Sequence, residues 1–480
     1  AQAALAGARG TILVVPDGRD LGRLDVALTQ ALGPGRHVAL SADLGATARY
    51  RRWLSVRRGA VRVVAGTRTA AFAPVTDLGL AAIWDDGDDL HAEPRAPYPH
   101  VRDVLALRSH QTGCALLIAG TARTAEGARL VESGWTRAVA LPRAEVRTVA
   151  PRVVAAGDDE ALARDSGARG ARLPSVAWQA ARTALAAHSP VLVQVPRRGY
   201  APCLSCDRCR APARCARCSG PLAATSGPAV PACRWCGQVA GGWECGHCGG
   251  TRMRAAVVGA RRTAEELGRA FPGAVVRTSG RGEVLASVAP EPALVVATPG
   301  AEPVVPGGYG AAVLLDAWAL LTRADLRAGE ETVRRWCNAA TLVRAGGDVV
   351  IVGADSGLAA VQALVRWDPA GFAARELGER AELGFPPAVR MAAVTGPRDA
   401  VADVIERASL PGSAGILGPV PVEVPRDSAG AAGEQERTLV RVPIGDGPAL
   451  AAALRAAAGV RSARKLPGSV RIQIDPAEIG

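Results

Sequence analysis

The sequence predicts an α/β protein with two lobes, each built on a parallel sheet, followed by a C-terminal α+β domain. Two sets of short apolar runs alternate with helical segments, a cysteine-rich stretch interrupts the second set, and the pattern changes after residue 375. Apolar strands that alternate with amphipathic helices are typical of a parallel sheet covered on both faces. The 480 residues, 49% of them apolar, suffice to bury several cores.

The first lobe is predicted over residues 1–145. Its strands are expected at TILVVP, RHVALS, VRVVAG, LGLAAIW and CALLIAG, between residues 11 and 120. The opening AQAALAGARG is typical of the tail of a helix and does not begin with methionine, so we expect this lobe to be truncated at its N-terminus. Residues 146–173 are predicted to form a linker.

The second lobe is predicted over residues 174–375, with an insertion at 203–252. The helix SVAWQAARTALAAH and the strand PVLVQVP precede the cysteines, and the apolar runs AAVVGA, ALVVATP, AAVLLDAW and DVVIVG follow them. One α/β pattern therefore continues on both sides of the cysteine-rich stretch, which is expected to form a separate insert.

The C-terminal domain is predicted over residues 376–480. The segments VRMAAVTG, DAVADVIERAS, ILGPVPVEVP, RTLVRVP, PALAAALRAAAG and SVRIQIDP indicate the order β-α-β-β-α-β. That order is the split βαβ arrangement. The small residues of SAGAAGEQ, at 428–435, are expected to form its exposed hairpin loop.

The net charge of +12 indicates a polyanionic partner. Lys465 is the only lysine, and the abundance of Arg, Ala, Gly and Pro fits a GC-rich genome. That bias explains the choice of arginine but not the excess of basic over acidic groups, which attracts nucleic acid. No apolar stretch approaches the roughly 20 residues of a membrane span, and no leader is apparent, so we expect a cytoplasmic protein without a membrane partner.

Four C-x2-C pairs are the strongest signal in the sequence. Of eleven cysteines, nine lie between residues 203 and 248. Eight of these form the pairs Cys206/Cys209, Cys215/Cys218, Cys233/Cys236 and Cys245/Cys248. Two thiolates separated by two residues occupy two corners of a tetrahedron around one zinc ion, so two pairs complete one site. We therefore predict two zinc ions, in preference to disulfides in a reducing compartment or an iron–sulfur cluster.

Both zinc sites are predicted to be structural, because four thiolates leave no open position for water or substrate. Glycines directly after the second cysteine of a pair (Gly237 and Gly249), or one residue later (Gly220), suit the positive φ of a zinc knuckle. Cys203 also stands in C-x2-C spacing with Cys206 and is an alternative candidate ligand. His247 is expected to be exposed rather than coordinating, and Cys114 and Cys337 to be buried small apolar residues.

The phrase RRGYAPCLSCDRC, at residues 197–209, closely resembles the PriA family of replication restart proteins. The order of the four cysteine pairs is similar too, as are GTRTAAFAP at 66–74, IWDDGDD at 83–89, FPGAVV from 271, ELGFPP at 382–387, ILGPVP at 416–421 and the terminal VRIQIDP. The resemblance covers nearly all of the chain. It implies helicase-like (RecA-like) lobes with a zinc-binding insertion in the second.

The resemblance also implies which cysteines share an ion. In that family the pairs are nested, whereas spacing alone leaves nested and sequential pairing open. Carried over, the nested arrangement assigns one zinc to Cys206, Cys209, Cys245 and Cys248. It assigns the other zinc to Cys215, Cys218, Cys233 and Cys236.

The expected ATP-binding motifs depart from the family. A helicase holds phosphates with a glycine-rich loop ending in GK[ST], which here is expected upstream of Ala1, if present. The family's magnesium box Asp-Glu-Glu-His is matched by Asp85, Asp86, Gly87 and Asp88. A carboxylate one methylene shorter at Asp86 misplaces the attacking water. We favour a solvated acidic loop over a vestigial nucleotide and magnesium site at Asp85 and Asp86.

Two motifs of the second lobe depart as well. The segment ATPGAEPVVPGGYG, at 297–310, lacks the family's Lys-Gly step, and NAATLVRAGG, at 338–347, lacks its paired arginines. Arg344 is close to the position of the arginine finger but lacks the surrounding motif. These departures predict that no helicase activity remains, and they put ATP and magnesium in doubt as cofactors.

The resemblance implies a nucleoid-associated protein that binds stalled or abandoned forks and promotes primosome assembly and reloading of the replicative helicase. Its implied partners are forked or single-strand/double-strand junction DNA, other primosome proteins, a helicase loader or the replicative helicase, and single-stranded DNA-binding protein. Two alternatives stay open: an active ATP-dependent 3′-to-5′ DNA helicase, and a zinc-ribbon module for protein interaction.

Arginines around the insert are the predicted DNA contacts, because guanidinium groups suit phosphate oxygens. They are Arg197, Arg198, Arg208, Arg210, Arg214 and Arg217. The alternative is that several are merely solvated, or, for Arg197 and Arg198, structural at a strand end.

Overall fold

The structure, a computed structural model, describes residues 1–156, 173–196, 204–208, 213–217, 222–223, 230–233, 238–255, 260–321, 323, 325–422 and 435–477. The chain folds into two compact units. Unit 1 contains Ala1–Gly120, Thr124–Thr136 and Ala374–Ile479, and unit 2 contains Thr121–Arg123 and Arg137–Ala373.

A five-stranded parallel sheet forms the first part of unit 1. Its strands are β1 (Gly10–Val14), β2 (His37–Leu40), β3 (Val63–Gly66), β4 (Leu78–Trp84) and β5 (Ala115–Ala119). They lie in the order β2-β3-β1-β4-β5. The helices of this part are Gln2–Ala6, Gly18–Leu32, Ala46–Arg57, Val101–Thr112 and Ala125–Glu132, with 3-10 turns at Arg68–Phe72 and Asp89–His91. All five apolar runs predicted as strands are confirmed.

The central strands of this sheet are buried on both faces, which explains why they are continuous apolar runs rather than alternating ones. Ile12 of β1, Val64 of β3 and Ile83 of β4 are almost completely buried in one core with Leu105 of the helix Val101–Thr112. On the opposite face, Val63 packs in a second cluster with apolar side chains of the helix Gly18–Leu32.

A six-stranded parallel sheet forms the core of unit 2. Its strands are β6 (Arg152–Ala155), β7 (Val191–Gln194), β12 (Val275–Ser279), β13 (Ala293–Ala297), β14 (Tyr309–Leu314) and β15 (Val343–Ile351). They lie in the order β12-β13-β7-β14-β15-β6. The described helices of unit 2 are Arg143–Val149, Ser175–Ala186, Ala260–Ala270, Ala317–Leu321, Ala328–Ala340 and Ala359–Val365. The helix Pro369–Leu383 begins in unit 2 and ends in unit 1.

Both edge strands of this sheet differ from the sequence interpretation. β6 lies inside the segment 146–173 that was predicted as a linker, and it pairs in parallel with β15. β12 was not predicted, because most of its side chains are exposed and its apolar signal is weak. The predicted strand AAVVGA starts at Ala255, which is the last residue of the observed strand Met253–Ala255 in the insert. Its residues 256–259 lie outside the described residues.

The C-terminal part of unit 1 is a four-stranded antiparallel sheet with two helices. In chain order the elements are β16 (Arg390–Pro397), the helix Arg398–Arg407, β17 (Gly415–Val422), β18 (Gln435–Val442), a 3-10 turn at Ile444–Asp446, the helix Gly447–Ala463 and β19 (Arg471–Ile474). The predicted order β-α-β-β-α-β is confirmed, with strands arranged β17-β18-β16-β19. Nearly all of the predicted hairpin loop lies outside the described residues.

The described residues of the insert of unit 2 contain four short strands. They are β8 (Leu204–Cys206), β9 (Leu222–Ala223), β10 (Ala232–Cys233) and β11 (Met253–Ala255). β8 pairs with β11, and β9 pairs with β10, both antiparallel. Across the described ranges of the chain, no helix has the length and apolar character that a membrane crossing requires.

Candidate metal centre and acidic turn

The pairing of β8 with β11 brings the two ends of the insert together. Cys206 lies opposite Met253 in this ladder, and the Asp207 amide donates a hydrogen bond of 3.0 Å to the Arg252 carbonyl just beyond it. The first cysteine pair is therefore next to the last one, although the rest of the insert separates them in the chain.

Three cysteine sulfurs gather at this point. The Sγ atoms of Cys206, Cys245 and Cys248 all lie within 4.8 Å of one another, and the Cys206 and Cys248 sulfurs are 3.6 Å apart. A disulfide needs about 2.05 Å. A tetrahedral zinc ion with Zn–S bonds of about 2.3 Å separates its sulfurs by about 3.8 Å. The donor set and its spacing therefore fit a thiolate metal site.

The turn after Cys245 has the geometry of a zinc knuckle. The Cys245 carbonyl accepts from the Gly249 amide at 2.9 Å, and the Cys245 amide donates to the Gly250 carbonyl at 2.9 Å. Gly249 has φ +68°, which confirms the positive φ predicted there. A Cβ atom at Gly250 would lie 3.1 Å from the Cys206 sulfur, so this position has little room for a side chain.

Two cysteines of the second predicted set share a small buried cluster. Cys215 and Cys233 pack there with Ala213 and Leu222. The Arg217 amide donates to the Cys215 sulfur at 3.4 Å. The other predicted ligands, Cys209, Cys218 and Cys236, and the competing Cys203, lie outside the described residues. Zinc at both sites stays a prediction.

Three of the predicted DNA-binding arginines can be located. Arg208, Arg214 and Arg217 are exposed, whereas Arg197, Arg198 and Arg210 lie outside the described residues. The predicted exposure of His247 and the predicted burial of Cys114 and Cys337 are confirmed.

The acidic turn after β4 is buried, and its interpretation as a solvated loop is wrong. Asp85, Asp86 and Asp88 are only 6%, 4% and 6% exposed. Asp85 has φ +56°, and its amide donates to the Ala119 carbonyl at 2.7 Å, which ties the turn to the end of β5. The Asp88 carboxylate accepts from the Leu90 amide at 3.0 Å. The sequence shows the charges but not the neighbouring elements that cover them.

The Asp86 carboxylate is held by two side chains that the sequence analysis missed. One oxygen accepts hydrogen bonds from Arg102 at 3.0 Å and from the Thr124 hydroxyl at 2.8 Å. Thr124 also caps the helix Ala125–Glu132, since its hydroxyl accepts from the Gly127 amide at 2.9 Å. The sequence indicated Thr124 only as a residue that caps a helix, because it stands directly before a helical segment.

Arg102 carries the compensating charge of this turn. Its guanidinium is buried and faces Asp86 at 3.0 Å, Asp103 at 3.5 Å and Glu126 at 3.8 Å. Burial alone would lower the pKa of Arg102, but the carboxylates of Glu126, Asp103 and Asp86 raise it above its usual value. The arrangement is a buried ion-pair network that joins β4 to two helices.

Polar groups near the carboxyl ends of the unit 2 strands also pair with one another. The Gln194 amide, at the end of β7, donates to Glu302 at 2.7 Å. Glu331 accepts from Arg334 and Arg335, each at 2.7 Å. Burial would raise the pKa of Glu331, but these two arginines lower it below its usual value. Arg344 lies on β15 and is exposed.

Comparison with known proteins gives similarity along the whole chain. A family model described as "Primosomal protein N C-terminal domain" matches residues 381–477. A protein of Mycobacterium leprae named "Probable replication restart protein PriA" is 54% identical over 100% of this chain and 75% of its own length. Its Mycobacterium tuberculosis H37Rv namesake is 53% identical over 98% of this chain and 74% of its own length.

More distant proteins with the same type of name match smaller parts. The "Replication restart protein PriA" of Haemophilus influenzae is 26% identical over 48% of this chain and 31% of its own length. The mycobacterial matches extend over at least 98% of this chain, and their identity over the aligned length is 53% and 54%. This chain belongs to the PriA family of replication restart proteins.

Proposed function

We propose that this protein acts in replication restart as a binding platform: it binds stalled or abandoned forks and promotes primosome assembly and reloading of the replicative helicase, without unwinding DNA itself. The restart role is supported by the names of relatives that are 53% and 54% identical over nearly the whole chain. The geometry of this chain supports the second half of the proposal, that the protein does not use ATP hydrolysis to unwind DNA.

The observation that carries the proposal is the engagement of Asp86. In the resembled motor this position orients the attacking water, which requires a carboxylate open to the reaction centre. Here it accepts from Arg102 and Thr124 and is 4% exposed. Releasing it would leave a buried guanidinium without that partner, which is strongly unfavourable. The carboxylate is therefore a structural anchor, and Asp85 and Asp86 are a vestigial nucleotide site.

The second lobe supports the same conclusion. Where the family has a Lys-Gly step, Gly300 follows β13 with φ +81°, and a Cβ atom there would lie 2.6 Å from an Arg335 nitrogen. Arg335 in turn donates to Glu331 at 2.7 Å. A guanidinium committed to an internal carboxylate is a poor substitute for an arginine that must reach a transferring phosphate. The lobes would thus keep a helicase-like (RecA-like) architecture as a scaffold.

The insert is proposed to hold two structural zinc ions. The sulfur spacing at Cys206, Cys245 and Cys248 supports a first ion completed by Cys209. The cluster that contains Cys215 and Cys233 supports a second ion completed by Cys218 and Cys236. Such ions would supply folding free energy to a subdomain whose strands are only two or three residues long.

The proposal is tested by measuring fork binding and fork-stimulated ATP hydrolysis on the same preparation. We expect binding to a synthetic fork that weakens as salt rises, since phosphate contacts release counterions. ATP hydrolysis and strand displacement should stay at background. Fork-stimulated hydrolysis would instead support the active helicase, and failure to bind the fork at low salt would support a module used only for protein contacts.

A further inference from the structure

The helix Ala46–Arg57 presents an unusual charge pattern. Between Asp43 and Asp77, residues 44–76 contain seven arginines and no acidic residue. The helix is anchored by Val56, which is fully buried in the core of the first sheet, and by Arg52, which donates to the Ala39 carbonyl of β2 at 2.6 Å. The helix therefore packs on one face of the sheet next to β2, which is an edge strand.

Four arginines of this segment point outward. They are Arg49, Arg51, Arg57 and Arg58. Within the described ranges, their guanidinium groups have neither an ion pair nor a hydrogen bond. Arg51 and Arg58 are seven residues apart, which places them on one face about 10.5 Å apart along the axis. Tyr50, 64% exposed, is seven residues from Arg57 and therefore lies on the same side of the helix as that arginine.

A preference for arginine in the coding sequence does not explain this pattern. Other arginine-containing helices of the same chain supply their own acidic partners four residues away: Arg261 has Glu265 at 3.6 Å, and Arg407 has Asp403 at 2.7 Å. Crowded cations without such partners repel one another and weaken a helix. Because no acidic residue of the segment offsets this repulsion, the surface is suited to bind an external polyanion.

We propose that this basic helix surface, defined by the exposed Arg51, Arg57 and Arg58, is a second DNA-contacting surface that binds the phosphate backbone of the fork. The inference rests on the proposed fork binding and adds a site in unit 1, whereas the insert arginines belong to unit 2. Guanidinium groups bind phosphate oxygens bidentately. The exposed Tyr50 provides an aromatic face on which a sugar or base can pack. That combination favours nucleic acid over an acidic polypeptide.

The test compares two triple variants that remove the same charge. The first changes Arg51, Arg57 and Arg58 to Gln, which keeps helix propensity. The control changes Arg261, Arg262 and Arg269 to Gln, three exposed arginines on the helix Ala260–Ala270. Binding of a fluorescent fork is titrated between about 50 and 200 mM salt, the range in which phosphate contacts dominate.

We expect the first variant to lose at least about tenfold in affinity near 100 mM salt and to lower the slope of log K against log salt by about 2–3, since each duplex phosphate contact contributes about 0.9. The control should stay close to the unsubstituted protein. Arg51→Gln alone should lower the slope by about 1. This single variant replaces the triple variant in the test if the triple variant misfolds. The thermal unfolding midpoint of each variant is compared with that of the unsubstituted protein to check that the variant is folded.

Several outcomes would overturn the inference. If the unsubstituted protein binds the fork but the first variant has the same affinity and slope, the surface does not contact DNA. An equal loss in the control would mean that only net charge matters. Retained fork binding with lost binding of a labelled polyglutamate peptide would assign the surface to an acidic protein. If the unsubstituted protein does not bind the fork, the proposed function itself fails.

Discussion

The Asp86 carboxylate and the Arg102 guanidinium form a hydrogen-bonded ion pair at 3.0 Å, and their side chains are only 5% and 7% exposed. The two residues come from the end of β4 and from the helix Val101–Thr112. A buried pair of this kind is costly to break, because the remaining partner stays charged inside the protein.

Arg102→Met is therefore expected to destabilise unit 1 by about 3–5 kcal/mol. Urea unfolding followed by circular dichroism measures this. The matched control is Arg19→Met, which removes a part-exposed ion pair with Asp17 at 2.8 Å and should cost no more than about 1 kcal/mol. Equal effects of the two substitutions would contradict the structural role of the buried pair.

The zinc prediction concerns stoichiometry. Elemental analysis of protein purified without chelator should give two zinc ions per chain. Cys245→Ser should lower this number and unfold the insert locally, while the two sheets, which have separate cores, stay folded. His247→Ala, an exposed change in the same knuckle, should leave two ions bound. One ion or none in the unsubstituted protein would refute the assignment.

Stability should fall in mild acid because of His91. Its side chain is fully buried, and burial lowers its pKa from 6.5, although the Trp84 carbonyl and nearby aspartates oppose this. Below pH 6.5 the unfolded chain therefore binds the proton more readily than the folded protein does. The contribution of neutral His91 to the free energy of unfolding is thus complete above that pH and is lost as the pH falls below it. Thermal unfolding from pH 8 to 5 should show a smaller decline for His91→Gln, while the exposed His110→Gln changes nothing.

Asp85 should have no effect on nucleotide turnover. If the site is vestigial, Asp85→Ala leaves fork-stimulated ATP hydrolysis at the same background as the unsubstituted protein. Loss of an arginine finger alone typically costs about 10³ or more in rate, and the second lobe also lacks the Lys-Gly step. Hydrolysis that is present and then disappears in Asp85→Ala would mean that the motor is intact.

Arginines of the insert should contribute to fork affinity. Changing Arg208, Arg210 and Arg214 together to Gln is expected to weaken binding and to lower the salt slope by up to about 2.7 if all three contact phosphates. Arg208 and Arg214 are exposed, so substitution of these two residues should not disturb a core, whereas Arg210 lies outside the described residues. Zinc content and unfolding midpoint serve as controls. An unchanged slope would mean that this patch is solvated and unused.

Strands with strong apolar signals were predictable, and weak edge strands were not. The run VRMAAVTG became β16, whose Ala392 and Val394 are buried in the core of the C-terminal domain, because a central strand needs apolar side chains on the face that its helices cover. β6 has only four residues and lies at the edge of its sheet, so it gives little signal and was absorbed into a predicted linker.

By itself, the sequence determined the features that depend on near neighbours: the alternation of strands and helices, the β-α-β-β-α-β order of the C-terminal domain and the spacing within each C-x2-C pair. Turns and periodicity are local properties, so a few residues encode them. Only the tertiary structure decided that Cys206 meets Cys248, 42 residues away, and that Arg102 and Thr124 cover Asp86 from 16 and 38 residues away. These contacts depend on which strands and helices pack together, and a local pattern does not specify that.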